Sequence, residues 1–230
     1  MNFLSSEEWD IVRLTLGVAA RSVTFGLPVA VLVAWLLVRG RFPGRAILDA
    51  VAHLPMVLPP VVVGWLLLLL FGVRGPIGGW LNSLFGVRLV FTTAGASLAC
   101  AVTSFPLMLR AIRLSLESVE PGLEQAAQTL GAGGIDRFCT ITLPLAAPGV
   151  LVGGIVGFAS CLGNFGAVIT FAGNIPGQTQ TLPLAIYSAL QTPGGEETAA
   201  RLSLISVALA IAGLLASERV GRWLRARVGR

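Results

Sequence analysis

PGLEQAAQTLGAGGIDRFCTITLP, residues Pro121–Pro144, is a polar interruption in a chain that is otherwise strongly apolar. Pro121 suits the first position of a helix, where the N–H that proline lacks would be unpaired anyway. Leu123, Ala126, Ala127 and Leu130 recur at helical spacing and share one face. Gly131 follows, where a helix end needs a residue that tolerates positive φ. The spacing therefore predicts a short amphipathic helix of about two turns, stopped by glycine, and then an aromatic and β-branched run back to Leu143-Pro144. Small residues on the apolar face let another backbone come close, as docking to a soluble partner requires.

The composition around this stretch is that of a membrane protein. Apolar residues make up 55% of the 230-residue chain and charged residues 12%, about half the share usual in a soluble domain. Mean hydropathy is +0.84. The expected class is an all-α polytopic protein in a single domain, 1–230, with spans at about 14–38, 51–71, 91–109, 145–172 and 201–216 and a polar loop at 110–144. The acidic start (Glu7, Glu8, Asp10) ahead of a long apolar run predicts a retained first span rather than a cleaved leader. Pro55, Pro59 and Pro60 require the second span to bend or start late. Residues 145–172 exceed one bilayer thickness, so part of them must bend or lie along the interface. Gly149, Gly153 and Gly157 form a small-residue face suited to tight helix packing.

All 16 basic residues are arginine. They cluster at the ends of apolar segments, apart from Arg21 inside the first span, which argues against nucleic acid and for a membrane lipid environment. With five spans, Arg39, Arg41, Arg45, Arg110, Arg113, Arg137, Arg219, Arg222, Arg225, Arg227 and Arg230 fall on one side, and Arg13, Arg74, Arg88 and Arg201 on the other. The positive-inside rule then puts the N-terminus outside, the C-terminus in the cytoplasm and the 110–144 loop inside.

The loop resembles the EAA motif of the membrane subunits of bacterial ATP-binding-cassette (ABC) importers, which reads E-A-A, three residues, Gly, nine residues, I-x-L-P. Gln125-Ala126-Ala127, Gly131 and Ile141-Thr142-Leu143-Pro144 stand at that spacing, with Gln125 in the first position and Glu124 one residue earlier. The resemblance implies a type I ABC importer permease fold with a cytoplasmic coupling helix. Glu124, Gln125, Ala126, Ala127, Gly131, Ile141, Leu143 and Pro144 would couple it to an ATPase, with Glu124 the candidate carboxylate in an exposed charge pair.

HLPMVLPPVVVGWLLL, FPLMLRAIRLSLE, TITLPLAAPGVLVGGIVGF and LGNFGAVITFAGNIPGQTQTLPLAIYSALQTPGGE extend the resemblance, over nearly the whole chain, to molybdate importer permeases. It implies an inner-membrane homodimer, two cytoplasmic ATPase subunits that bind the ATP and Mg, and an extracytoplasmic molybdate-binding protein, with no cofactor in this chain. Sulfate, thiosulfate and tungstate are the alternative cargoes.

Between Ala146 and Ala200 there is no basic residue, so an anion would meet neutral donors: Ser160, Asn164, Thr170 and backbone N–H groups. These side chains either line a path or bridge helices. No metal-ligand spacing occurs among Cys100, Cys139 and Cys161. A Walker A pattern is absent, so no catalytic residues are expected. A remote alternative of another class, an intramembrane hydrolase, would rest on Ser97 and the lone histidine, His53.

Overall fold

The structure is a computed structural model that describes residues 5–228. Arg230 lies outside the described residues, as do the side chains of Arg225 and Arg227. The elements are α1 (Ser6–Arg39), α2 (Arg45–Val57), α3 (Pro60–Phe71), α4 (Pro76–Phe85), α5 (Thr93–Glu117), α6 (Pro121–Thr129), α7 (Gly134–Arg137), a π-helical turn (Phe138–Thr142), α8 (Leu143–Leu162), α9 (Gly166–Ala172), α10 (Leu182–Leu190) and α11 (Glu196–Val228). Every regular element among the described residues is helical. Four helical stretches are long and apolar enough to cross a membrane: Ser6–Arg39, Thr93–Glu117, Gly134–Leu162 and Glu196–Ala216. A fifth crossing is available if α3 and α4, which meet at 46°, act as one bent span.

α5 is the centre of the packing, with α1, α8, α9 and α2 against it. The expected glycine face of α8 makes the closest contact. A Cβ on Gly149 would overlap Ser115 Cβ and come within 2.8 Å of the Ala111 carbonyl oxygen. One on Gly157 would meet Met108 Cγ at 2.6 Å. Without those atoms, Met108, Leu109, Ile112 and Leu116 are fully enclosed. α11 closes the outer side of α8.

Helix bounds differ from the sequence expectation where proline and glycine intervene. The 51–71 stretch is two helices, because neither Pro59 nor Pro60 can donate a helical hydrogen bond. Each also forces the residue before it into extended backbone, with ψ 144° at Leu58 and 136° at Pro59. The 145–172 stretch is likewise broken between α8 and α9. α5 continues to Glu117, beyond the expected end at 109, and α11 extends past 201–216 at both ends.

The two breaks lie side by side. A Cβ on Gly166, just after one, would reach Pro60 Cβ, just after the other, at 2.9 Å, and Gly64 packs against Ala167 and Thr170. Seven of the arginines sort to the two ends of the bundle. Arg39, Arg41, Arg45, Arg110, Arg113 and Arg137 gather at the end that carries α6. At the opposite end Glu8 is buried, receives two hydrogen bonds from Arg201 and closes a capping box with Ser5.

Gly149→Val is expected to lower the stability of the purified protein by about 1–3 kcal/mol, read as an earlier thermal unfolding transition in detergent. Gly154→Ala, whose new methyl would find Leu27 at an ordinary 3.5 Å, is expected to be neutral or mildly stabilising. Equal transitions for the two variants would refute the close α5–α8 contact.

Candidate functional site

The loop after α5 is built from local chemistry. Val119 is buried against α5 and anchors the turn. Pro121 opens α6, and Leu130 caps it. Gly131 has φ +88°, and Ala132 N–H returns to the Ala127 carbonyl at 3.0 Å. The glycine stop read from the sequence is therefore a left-handed residue that satisfies the last carbonyls of the helix. The chain then turns through α7 into α8. Pro144 has no N–H and would crowd the carbonyl of Thr140 in a regular helix. The preceding turn is widened instead, with Leu143 N–H bonded to the Phe138 carbonyl five residues back.

α6 buries no residue within this chain. Leu123, Ala126 and Leu130 are exposed, Leu130 by 89%. Gln125 is exposed and Ala127 half-buried. The face that the spacing defined is thus an apolar surface without a partner in the chain. Ile141 and Leu143 are half-buried and Pro144 is exposed where α8 begins.

Glu124 departs from expectation. Its side chain is only 18% exposed and is not on the outer face. Its carboxylate pairs with Arg39 Nε at 3.1 Å and accepts a hydrogen bond from Thr142 Oγ1 at 2.7 Å. Arg39 also donates to the Val119 carbonyl at 3.1 Å. The group is an internal brace that ties α6 to the end of α1 and to the π-helical turn. An exposed pair of this kind contributes little, but a shielded, hydrogen-bonded one contributes more. Sequence reasoning missed Arg39 and Thr142 as partners. Arg39 lies 85 positions from Glu124, and Thr142 occupies the unspecified position of the I-x-L-P run.

The three neutral side chains behave differently from one another. Asn164 sits in the α8–α9 break and its Nδ2 donates to Thr103 Oγ1 of α5 at 2.5 Å, with Cys100 Sγ at 3.7 Å. Thr170 bonds back to the Gly166 carbonyl and packs at the α3–α9 contact. Ser160 is half-buried on α8. Asn164 and Thr170 therefore hold helices together, while Ser160 stands apart from that network.

His53 Nδ1 lies 3.1 Å from Asp49, which also pairs with Arg113, and Arg113 binds Glu117. Ser97 lies near the other end of α5, about 24 Å along the helix from Arg113, and its hydroxyl bonds to the Thr93 carbonyl. The structure thus separates the serine and histidine that a hydrolase would need together. Among the described residues, no group of three or more His, Cys, Asp or Glu side chains is placed to hold a metal ion.

Comparison with known proteins fits this geometry. Residues 26–230 match the family described as binding-protein-dependent transport system inner membrane component. The chain is 57% identical to the molybdenum transport system permease protein ModB of Escherichia coli K12, over 99% of each chain. It is 39% identical to the sulfate transport system permease protein CysT of the same organism, over 81% of this chain and 70% of that one. A solved bacterial alginate ABC transporter, in complex with a periplasmic protein bound to alginate pentasaccharide, shares the fold with TM-score 0.75 at 18% identity, covering 96% of this chain and 81% of that one.

Removing the brace should free α6 without unfolding the helices. Glu124→Ala leaves Arg39 and Thr142 without their carboxylate, a loss of about 1.5–3 kcal/mol for hydrogen bonds to a charged group. Thr142→Val should cost about 1 kcal/mol. Amide exchange at residues 121–131 is expected to accelerate in both variants, more in the first. Unchanged exchange in Glu124→Ala would contradict the brace.

Proposed function

Since the chain belongs to the family of binding-protein-dependent transport system inner membrane components, a type I ABC importer permease in fold and a multi-pass inner-membrane protein, we propose that it is the molybdate permease of such an importer. It is a transport component and not an enzyme. The observation that carries the cargo is the 57% identity, over almost the full length, to a molybdenum permease. The sulfate relative is more distant and matches less of both chains. Tungstate, a tetrahedral dianion of the same charge and nearly the same shape, is an alternative cargo.

In this reading two copies of the chain form the membrane unit. Each α6 seats in one cytoplasmic ATPase subunit, which binds the ATP and Mg, and a separate extracytoplasmic protein delivers the anion. The exposed Leu123, Ala126 and Leu130 on a helix with no buried residue support docking. The arginine-rich end at α6 supports a cytoplasmic C-terminus and an outside N-terminus.

The paired helix breaks at Leu58–Pro59 and Gly163–Phe165 support a route past them. Broken helices free backbone polar groups inside a membrane, and these are tolerated where they line a cavity. Asn164 and Thr170 keep the shape of the break, and Ser160 is the side chain nearest in character to a path residue. With neutral groups alone, the route binds a dianion weakly, and the delivery protein supplies the affinity.

Ala127→Trp and Gly131→Val are expected to insert into the membrane as the parent does but to lose copurification with the ATPase subunit or transport-linked hydrolysis. At Gly131 the penalty is the positive φ, about 1–2 kcal/mol for a residue with a Cβ. Parental transport by Ala127→Trp would refute docking through α6. The purified permease alone is expected to bind molybdate no more tightly than millimolar, a binding free energy of about −4 kcal/mol. Micromolar binding by calorimetry would contradict a weak route. A thiol label at Gly133→Cys is expected to react from the cytoplasmic side only, and one at Gly194→Cys from outside only. The reverse pattern would overturn the orientation.

A further inference from the structure

Beneath α6, on the side away from its exposed apolar face, a cavity of about 390 Å³ is lined by Arg39, Arg41, Arg45 and Arg137 together with Glu124 and Gln125. Four guanidinium groups meet one carboxylate, and Arg39 already holds that carboxylate. Among the described residues Arg41, Arg45 and Arg137 form no ion pair. Arg137 Nη1 donates to Gln128 Oε1 at 2.8 Å, but its Nε is buried with no acceptor. A buried donor without a partner is costly, and the two further unpaired cations beside it, Arg41 and Arg45, favour an anionic oxygen in that space.

A second feature neighbours this cavity along α1. Pro28, Val31, Leu32 and Trp35 of α1 face Ile135 and Phe138 across an apolar groove of about 240 Å³. Trp35 and Phe138 meet edge to face at 5.4 Å. Residues 28, 31, 32 and 35 lead at helical spacing to Val38 and Arg39, which line the basic cavity, so one stripe of α1 serves both. On the other wall Arg137 and Phe138 are consecutive. One wall of the groove belongs to the apolar span of α1 and the other to the loop that leads into α8, and the arginines line the neighbouring cavity.

We propose that this cavity and the neighbouring groove together bind an anionic phospholipid, with the phosphate among Arg41, Arg45 and Arg137 and an acyl chain along Trp35 and Phe138. Basic pockets between membrane helices suit acidic lipid headgroups, and tryptophan at the apolar–polar boundary is a common interfacial anchor. A free phosphate would use the arginines alone and leave the groove unexplained. The bound lipid would rest against the Glu124–Arg39 brace and steady the base of α6. The arginine cavity lies on the side of α6 away from Leu123, Ala126 and Leu130, and the site does not depend on which anion is carried.

The test is lipid retention by the intact permease–ATPase complex, and by the permease alone, after detergent extraction, read by native mass spectrometry. The parent is expected to keep phosphatidylglycerol or cardiolipin in preference to phosphatidylethanolamine. Arg41→Gln combined with Arg45→Gln should lower retention of the anionic lipid by at least about tenfold while phosphatidylethanolamine is unaffected. Ile135→Asp, in the groove wall, should lower it as well. Inorganic phosphate added in excess should not displace the lipid. In vesicles, hydrolysis by the parent should rise when phosphatidylglycerol is added to phosphatidylethanolamine, and the double variant should lose that response. Parental retention by the double variant would overturn the proposal. So would displacement by inorganic phosphate, which marks a free-anion site, or loss of ATPase copurification by the double variant in lipid-free detergent, which marks a site for a carboxylate of the partner. Absence of ATPase from the parent preparation would count against the importer reading, and retention by the permease alone would still decide the lipid site.

Discussion

The rest of the structure depends on the contact between α8 and α5, where three glycines of one helix let Ser115, Ala111, Ile112 and Met108 of the other come to backbone distance. In lipid the hydrophobic effect gives helices little reason to associate, so close van der Waals packing must do the work. The contact fixes α8 along most of its length. One end of α8 grows out of the π-helical turn and the α6 loop, and the other ends at the break that holds Asn164. The helix thus joins the α6 loop to the break beside α9.

Two sets of residues in the loop have separate duties. The outer face of α6 is apolar and small. The inner face carries Glu124, which binds Arg39 of α1 and Thr142 at the start of α8. A displacement of α6 is therefore passed to two helices at once, α1 by the ion pair and α8 by the hydroxyl and the continuous chain. The helix breaks beside Pro60 and Gly166 are where such a motion meets the least regular backbone in the bundle. Polar groups there are held by short-range contacts, Asn164 to Thr103 and Thr170 to Gly166, and not by an unbroken helical ladder.

Features with a local cause were legible in the sequence. Pro121, Gly131 and the spacing between them determine a helix and its stop through backbone geometry alone, and the structure has both. The need for a bend near Pro59 and Pro60, and for a break in 145–172, follows from missing N–H groups and from length. Features that join distant residues were not legible. Glu124 reads as a surface carboxylate until Arg39 is brought to it, and Asn164 reads equally as path or bridge until Thr103 appears opposite. The length of α5 was underestimated because Arg110 and Arg113 suggest a membrane edge, whereas in the folded chain Arg113 is matched by Asp49 and Glu117 and the helix runs on past them.

We propose that an ATPase subunit acts on this chain through α6. This is tested most directly by cross-linking in membrane vesicles with the exposed Cys139 replaced by serine and a single new thiol introduced as Ala126→Cys. A short bifunctional thiol reagent should join this position to a cysteine introduced along the docking groove of the ATPase, with a yield that changes when ATP is added, while the same reagent at Gly194→Cys gives no such product. Failure of Ala126→Cys to cross-link at any groove position, in an assembled and active complex, would contradict the account.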